Sequence, residues 1–237
     1  MPAPLFLALP GNEDACERLA LALGGEMGRL TLRPFPDGES YVRIATPVSA
    51  RDVVLVATLK RPNDKVLPLL FAADALRDRG AARIGLVALY LAYMRQDARF
   101  EPGEAITARS FAALISRSVD WLLTVDPHLP RIARLTDLYA IPARVVHSAA
   151  DLGNWIAANI RSPLIIGPDA ESRQWVDGIA AAACSPSTVL TKTRRGDATV
   201  IESIPDLGDN RSCTPVLVDD IISTGQTMIA AIEHLRD

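Results

Sequence analysis

The sequence of 237 residues lacks the marks of several common classes of protein. Aromatic residues make up only 5%, and three scattered cysteines without Cys-x-x-Cys spacing indicate a reduced, cytoplasmic protein. No apolar run is long enough to cross a bilayer, and the N-terminus lacks the basic start of a signal peptide. A formal net charge of −3 predicts no general attraction to nucleic acid.

Hydrophobic residues make up 49% of the chain, and short apolar runs alternate with helical patterns. Strands are predicted at residues 5–9, 53–58, 84–91, 121–125, 144–147, 164–167, 188–192 and 216–218. Helices are predicted at residues 13–23, 106–118, 151–160, 172–184 and 227–235, with another capped by Asn63 and ended by Gly80. Several strands are apolar throughout, which predicts an α/β fold with parallel sheets flanked by helices.

Two such layers follow one another, which predicts an N-terminal domain at residues 1–145 and a C-terminal domain at residues 146–237. The polar stretch 194–211 is predicted to be a mobile loop of the kind that closes over a site. Because an α/β sheet normally continues with another strand after such a last helix, we expect the second domain to be incomplete at its C-terminus.

The segment 216–228 is the most informative in the chain, because an apolar strand leads through Asp219 and Asp220 into a hydroxyl-rich loop and a helix. The loop comprises Ser223, Thr224, Gly225, Gln226 and Thr227. Hydroxyls and backbone N–H groups at a helix N-terminus can hold a phosphate, while the two carboxylates can accept from sugar hydroxyls. The segment therefore predicts a site for a ribose 5-phosphate group. An acidic pair also occurs in P-loop NTPases, but the Gly-x-x-x-x-Gly-Lys-Ser/Thr cradle of that class is absent from the sequence.

Polar residues also follow other predicted strands. Arg95 can fork onto a phosphate and Gln96 can pair with a base or a ribose, although a solvated charged loop explains them equally well. His128 and Asp169 each follow a strand end and could supply two ligands to Mg²⁺, with phosphates and water completing the octahedron. For His128 taken alone, a structural histidine is the simpler interpretation.

Two further features gain meaning only in combination. Lys192 and Arg194 lie at the start of the predicted mobile loop, and two cations there could offset the charge that develops in displacement at phosphorus. Taken alone, they also fit a solvated basic turn. Phe35, Asp37 and Glu39 lie in a Phe-Pro-Asp-Gly-Glu stretch that by itself predicts only a turn.

Taken in order along the chain, these motifs resemble the ribose-phosphate diphosphokinases, also called phosphoribosyl pyrophosphate synthetases. The resemblance implies two phosphoribosyltransferase-type domains related by a pseudo-twofold axis. It also implies an enzyme that transfers the pyrophosphoryl group of ATP to the 1-hydroxyl of ribose 5-phosphate, with Mg²⁺ as cofactor. The products would be phosphoribosyl pyrophosphate and AMP.

The resemblance also implies roles for individual residues. The ATP site would comprise Arg95, Gln96 and His128, with Phe35, Asp37 and Glu39 of a neighbouring subunit at the adenine, so a homo-oligomer is expected. Ribose 5-phosphate would contact Asp169, Asp219, Asp220 and the loop from Ser223 to Thr227. Lys192 and Arg194 would be catalytic, and His128 and Asp169 would hold the metal.

Two alternatives stay open at this point. A phosphoribosyltransferase shares the phosphate loop, but it would lack the Arg-Gln-Asp segment at 95–97 and would not use ATP. A non-catalytic regulatory homologue of the synthetase would keep the fold. Gln226 favours this second alternative, since the family often has glycine where its side chain now stands.

Overall fold

The structure of the protein is a computed structural model, which describes residues 3–195, 198–203, 210, 212–222 and 224–235. The chain divides into two compact units, Met1–Val146 (unit 1) and His147–Asp237 (unit 2). Each unit contains a parallel sheet with helices packed against it. This confirms the predicted α/β class, whereas the pseudo-twofold relation stays a prediction. Within the described residues, no helix combines the length and apolarity needed to span a membrane.

Unit 1 is built on a six-stranded parallel sheet. The strands of unit 1, in that sheet and outside it, are β1 (Leu5–Ala8), β2 (Glu26–Met27), β3 (Leu30–Pro34), β4 (Ser40–Ile44), β5 (Asp52–Thr58), β6 (Arg83–Tyr90), β7 (Trp121–Val125) and β8 (Ala143–Val146). Its helices are α1 (Glu13–Ala22), α2 (Asn63–Asp78) and α3 (Thr107–Ser118). The order across the sheet is β2-β1-β5-β6-β7-β8, and β3 and β4 form a separate antiparallel hairpin.

The sheet of unit 1 is covered on both faces because its strand residues alternate between two apolar clusters. Leu5, Leu7 and Leu55 point into the larger cluster, which includes residues of α2 and α3. Phe6 and Val54 point into the smaller one, which includes residues of α1. Strands buried on both faces read as continuous apolar runs, which is why the sequence predicted them.

Unit 2 contains a smaller parallel sheet with the strand order β10-β9-β13. Its elements are α4 (Ala149–Asn159), β9 (Pro163–Gly167), α5 (Arg173–Ala183), β10 (Ser187–Val189), β11 (Thr191–Arg195), β12 (Ala198–Ser203), β13 (Thr214–Leu217) and α6 (Gln226–His234). Ile165 packs with residues of α4 and α5 on one face of the sheet. Leu164 and Ile166 pack with Ala231 of α6 on the other.

Three predictions of local structure were wrong. The strand predicted at 188–192 is two strands, β10 and β11, and part of the predicted loop 194–211 is strand β12, which pairs antiparallel with β11. The rest of that loop includes residues outside the described part of the chain. Asn63 is the first residue of α2 rather than its cap, and its Oδ1 instead accepts a hydrogen bond from the Tyr93 hydroxyl. The turn predicted at residues 35–39 is confirmed, and it forms the tip of the β3–β4 hairpin, whose strands the sequence did not predict.

Candidate functional site

Three parallel strands of unit 2 end at the same edge of the sheet. Leu217 of β13 is in register with Ile166 of β9, and Val189 of β10 is in register with Gly167 of β9. The backbone N–H groups of Val218 and Leu190 continue this pattern by donating to β9 carbonyls at 2.9 Å. Whatever follows these strands is therefore delivered to one edge, the usual ligand crevice of an open α/β sheet.

Asp169 follows β9 at this edge and begins a short 3₁₀ turn, Ala170–Ser172. Its Oδ1 accepts from the Ser172 backbone N–H at 3.2 Å, and the Ser172 hydroxyl donates back to the Asp169 carbonyl at 2.6 Å. Ser172 is almost fully buried beneath Gly167, where a side chain would collide with the Ser172 hydroxyl. The position of Asp169 is thus set by close packing as well as by hydrogen bonds.

Asp219 and Asp220 follow β13 at the same edge, and both are half-buried. The pKa of Asp219 is raised to about 6, first by burial, then by the charge and side chain of Asp220, and then by the charge of Asp169. The hydrogen bond that Asp219 accepts from the Asp220 N–H at 3.0 Å lowers the pKa by a smaller amount. Three carboxylates are therefore close enough to interact, although they come from two strands. Such an accumulation of negative charge can accept hydrogen bonds from sugar hydroxyls or attract a cation.

The predicted phosphate loop leads from the acidic pair into α6. Gly225 precedes the helix with φ = 77°, a backbone conformation that favours glycine. Gln226 is the first helical residue; it is exposed, and its N–H donates to the Thr224 hydroxyl at 3.5 Å. Ser223 lies outside the described residues, and of Thr227 only the backbone is described.

Lys192 and Arg194 lie on β11, which begins just beyond the end of β10. The pairing with β12 shifts within this strand: Thr191 faces Ser203, whereas Lys192 faces Ile201. One residue of β12 therefore has no pairing partner on β11, as in a β-bulge. Because β10 ends at the carboxyl edge of the sheet, the strand that carries Lys192 and Arg194 starts from that edge.

In unit 1, β6 and β7 are neighbouring parallel strands, so the segments that follow them start from one edge. Arg95 and Gln96 come after β6, Arg95 exposed and Gln96 half-buried, and His128 comes after β7. The carbonyl of Gln96 accepts from the N–H of Ala108 in α3 at 3.2 Å, which joins the segment to the following helix. The two segments therefore start from the same edge of the sheet, and their contact with ATP stays a prediction.

An ion pair that the sequence analysis missed joins these two segments. Asp97 has a fully buried side chain, and its Oδ1 accepts from both Nε and Nη2 of Arg131 at 3.0 Å. The Arg131 guanidinium also lies over the ring of Phe100, 4.8 Å from its centroid. Arg131 follows His128 by three positions, but the two partners of the pair are 34 positions apart, so no local pattern marks it.

The β3–β4 hairpin holds the remaining predicted residues at its tip. Phe35, Asp37 and Glu39 are all exposed, and Asp37 accepts from the Glu39 N–H at 3.1 Å. Arg33 lies against two rings, 5.1 Å from the Phe35 centroid and 4.2 Å from that of Tyr41. Arg33 and Tyr41 are cross-strand partners. Had the sequence analysis predicted a hairpin here, the pairing of its two strands would have indicated this contact.

A metal site is not formed by protein side chains alone in the part of the chain that the structure describes. No group of three or more His, Cys, Asp and Glu residues there is suited to hold a metal ion. The two predicted ligands belong to different units, His128 to unit 1 and Asp169 to unit 2. The oxygen donors at the edge of unit 2 nevertheless have the chemistry that Mg²⁺ prefers.

A parallel sheet with an acidic pair and a hydroxyl-rich loop at its carboxyl edge defines a domain of the phosphoribosyltransferase type. Residues 134–237 match the family model described as the phosphoribosyl transferase domain. Residues 5–118 match the model of the N-terminal domain of ribose phosphate pyrophosphokinase. The chain belongs to the ribose-phosphate pyrophosphokinase family, which confirms the resemblance inferred from the motifs.

Individual relatives agree with this assignment over nearly the whole chain. A ribose-phosphate pyrophosphokinase of Methanopyrus kandleri is 35% identical over 98% of this chain and 79% of its own length. The one of Halobacterium salinarum strain R1 is 31% identical over 98% of this chain and 82% of its own length. A crystal structure of phosphoribosylpyrophosphate synthetase from Mycobacterium smegmatis, 24% identical, shares the fold with a TM-score of 0.85 over 99% of this chain and 76% of that one.

Proposed function

We propose that this chain transfers the pyrophosphoryl group of ATP to the 1-hydroxyl of ribose 5-phosphate, giving phosphoribosyl pyrophosphate and AMP. The observation that carries the proposal is the carboxyl edge of the sheet in unit 2. Three neighbouring strands there lead into Asp169, into the acidic pair with its loop, and into the strand with Lys192. A phosphate site, sugar-hydroxyl acceptors and cations on one edge are what this transfer requires.

Ribose 5-phosphate would bind at this edge with its phosphate on the loop before α6. The N–H groups of the first helical turn and the Thr224 hydroxyl favour an anion at this point. Asp219 and Asp220 would accept hydrogen bonds from the sugar hydroxyls, with Asp169 beside them. Burial and then the neighbouring carboxylates raise the pKa of Asp219, so hydrogen bonds from sugar hydroxyls would stabilise its charged form.

ATP would bind to the segments that follow β6 and β7 in unit 1. Arg95 is exposed and able to fork onto phosphate oxygens, while Gln96 is suited to the base or the ribose. Phe35, Asp37 and Glu39 would contact the adenine of a neighbouring subunit. Their exposure at the end of a hairpin supports this role, and with it a homo-oligomer.

Mg²⁺ is the expected cofactor. His128 and Asp169 would contribute to holding it, with most of its ligands coming from phosphates and water. When bound, the ion neutralises phosphate charge and orients the triphosphate. Lys192 and Arg194 would stabilise the charge that develops on the oxygens of the β-phosphorus, and positioning would supply much of the remaining rate.

In the experiment, the protein is incubated with ATP, ribose 5-phosphate and Mg²⁺, and the phosphorus-containing products are identified by ³¹P NMR. We expect AMP and phosphoribosyl pyrophosphate to form in equal amounts. Lys192→Ala should lower kcat by about a hundredfold or more with little change in ATP affinity, while the exposed lysine variant Lys60→Ala should leave kcat unchanged. Release of ADP or phosphate in place of AMP would refute the proposal, and equal loss of turnover and ATP affinity in Lys192→Ala would remove Lys192 from the transition state.

Sharing of the active site between subunits has its own test. Phe35→Ala removes the aromatic tip, and Lys192→Ala removes a cation of the other half of the site. We expect each variant alone to have reduced activity. If the hairpin serves a neighbour, unfolding and refolding the two variants together should restore part of the activity, because some sites then receive both intact residues. A mixture no more active than its components would show that hairpin and cation act within one subunit.

A non-catalytic regulatory homologue is a second candidate, favoured by Gln226. Its exposed side chain stands at the first position of α6, where the family often has glycine. Binding of both substrates without AMP formation would establish this candidate, and Gln226→Gly would then be expected to restore turnover. The cytoplasm remains the compartment expected from the cysteine usage.

A further inference from the structure

We infer that Arg131 is a positioning residue of the ATP site, which holds the Arg95–Gln96 segment against the segment after β7 through its ion pair with Asp97. The inference rests on the proposed function, since it assumes that ATP binds to these segments. It concerns an arginine that none of the sequence motifs singled out.

The ion pair joins a partly exposed arginine to a buried carboxylate. Nε and Nη2 of Arg131 both approach the same oxygen, Oδ1 of Asp97, at 3.0 Å. The Asp97 side chain has no exposed surface, whereas that of Arg131 is 43% exposed. Within the described part of the chain, the other carboxylate oxygen has no hydrogen-bond partner. The buried charge of Asp97 therefore depends on Arg131, and losing the arginine would leave it uncompensated.

The arginine is itself held in place. Its guanidinium lies over the Phe100 ring at 4.8 Å, and Phe100 belongs to the same segment as Asp97. The Phe100 N–H is in turn fixed by Glu104, whose Oε2 accepts from it at 2.8 Å. A planar guanidinium can satisfy a carboxylate and stack on a ring at once, which a lysine ammonium cannot do in the same geometry.

The consequence for ATP follows from the chain connectivity. Asp97 directly follows Gln96, so fixing its carboxylate fixes the backbone that presents Arg95 and Gln96. On the other side, Arg131 is three positions after His128. The pair thus joins the two segments expected to bind ATP, whereas the ribose 5-phosphate residues lie in unit 2. We therefore expect the contact to affect ATP affinity selectively.

The same loop offers a matched control. Arg134 pairs with Asp137 at 3.1 Å, but its side chain is 77% exposed and its partner is only three positions away. An exposed ion pair of this kind contributes little. Arg134→Gln therefore removes the same charge from the same loop without uncovering a buried carboxylate.

The experiment compares Arg131→Gln, Arg131→Lys, Asp97→Asn and Arg134→Gln. ATP dissociation constants are measured by calorimetry with Mg²⁺, and KM for both substrates by steady-state kinetics. We expect Arg131→Gln to weaken ATP binding by about tenfold or more, with KM for ribose 5-phosphate within about twofold of wild type. Arg131→Lys should recover only part of the loss, Arg134→Gln should be unchanged, and combining Asp97→Asn with Arg131→Gln should cost less than the sum of the single effects.

Several outcomes would overturn the inference. Unchanged ATP binding in folded Arg131→Gln would do so, and so would equal weakening of both substrates, because that would indicate a general effect on stability. If Arg131→Gln fails to fold, ATP binding by Arg131→Lys and Asp97→Asn decides the matter, since each keeps a polar group of similar size. Calorimetry measures ATP binding without turnover. A wild type that binds ATP but makes no product would therefore refute the proposed function, while the ATP dissociation constants of the variants would still test the role of Arg131.

Discussion

The contact between Gly167 and Ser172 allows a quantitative prediction. A Cβ at position 167 would lie 2.1 Å from the Ser172 Oγ, 2.7 Å from Cγ2 of Val176 and 3.1 Å from Cγ1 of Val189. All three neighbours are buried, so none can move into solvent. We therefore expect Gly167→Ala to destabilise unit 2 and to displace the turn that holds Asp169.

The magnitude follows from two contributions. Forcing one methyl group into a packed core typically costs about 1–3 kcal/mol, and contacts this short favour the upper end. Displacement of Ser172 would also break its hydroxyl bond to the Asp169 carbonyl, now 2.6 Å long. A hydrogen bond of this kind contributes about 1 kcal/mol. The expected loss in the free energy of unfolding is therefore about 4 kcal/mol.

Gly178 provides the control, because it lies in the middle of α5 in the same unit. Among the residues that the structure describes, a Cβ there would meet only the Cβ of Ala149, at 3.3 Å, and the position is exposed. Since alanine favours a helix over glycine by about 0.5–1 kcal/mol, Gly178→Ala should be neutral or slightly stabilising.

The assay is urea-induced unfolding followed by circular dichroism, together with KM for ribose 5-phosphate. Gly167→Ala should unfold at lower urea and show a raised KM for ribose 5-phosphate, and Gly167→Ala/Ser172→Ala should recover part of the stability. Wild-type stability in Gly167→Ala would refute the packing argument. Equal destabilisation by Gly178→Ala would show that the effect is not specific to the site.

Three further predictions concern a carboxylate, the thiols and the hairpin. Because burial and then neighbouring carboxylates raise the pKa of Asp219 from 3.8 to about 6, the metal-free protein should lose stability as the pH rises through this range, and Asp219→Asn should flatten that part of a urea-unfolding profile. Cys184 is exposed and should react at once with a thiol reagent near pH 8, whereas buried Cys16, whose pKa is raised to about 11 mainly by burial, should react only on unfolding; equal rates would contradict this. Arg33→Met should raise KM for ATP about two- to fivefold, since a cation–π contact contributes about 0.5–1 kcal/mol and here orders Phe35, while an equal rise in KM for ribose 5-phosphate would count against it.

The elements of the two sheets could be predicted from the sequence because strands covered on both faces are continuous apolar runs. The prediction for β7 was correct to the residue, and those for β5 and β9 were one residue short. The β3–β4 hairpin was missed although Leu30 and Leu32 on β3, and Val42 and Ile44 on β4, each flank an exposed residue. Its strands are short and partly exposed, so their apolar signal is weak compared with that of the buried strands.

The sequence by itself determined the family and the order of the site motifs. A strand end followed by polar residues is a local pattern, so it can be recognised before the fold is known. Only the tertiary structure decided which of those residues interact. The pairing of Asp97 with Arg131 and the influence of Asp169 on Asp219 join positions far apart in the chain. Such couplings depend on strand order and register, since neighbouring parallel strands bring distant segments to one edge, and no local pattern of residue types specifies that placement.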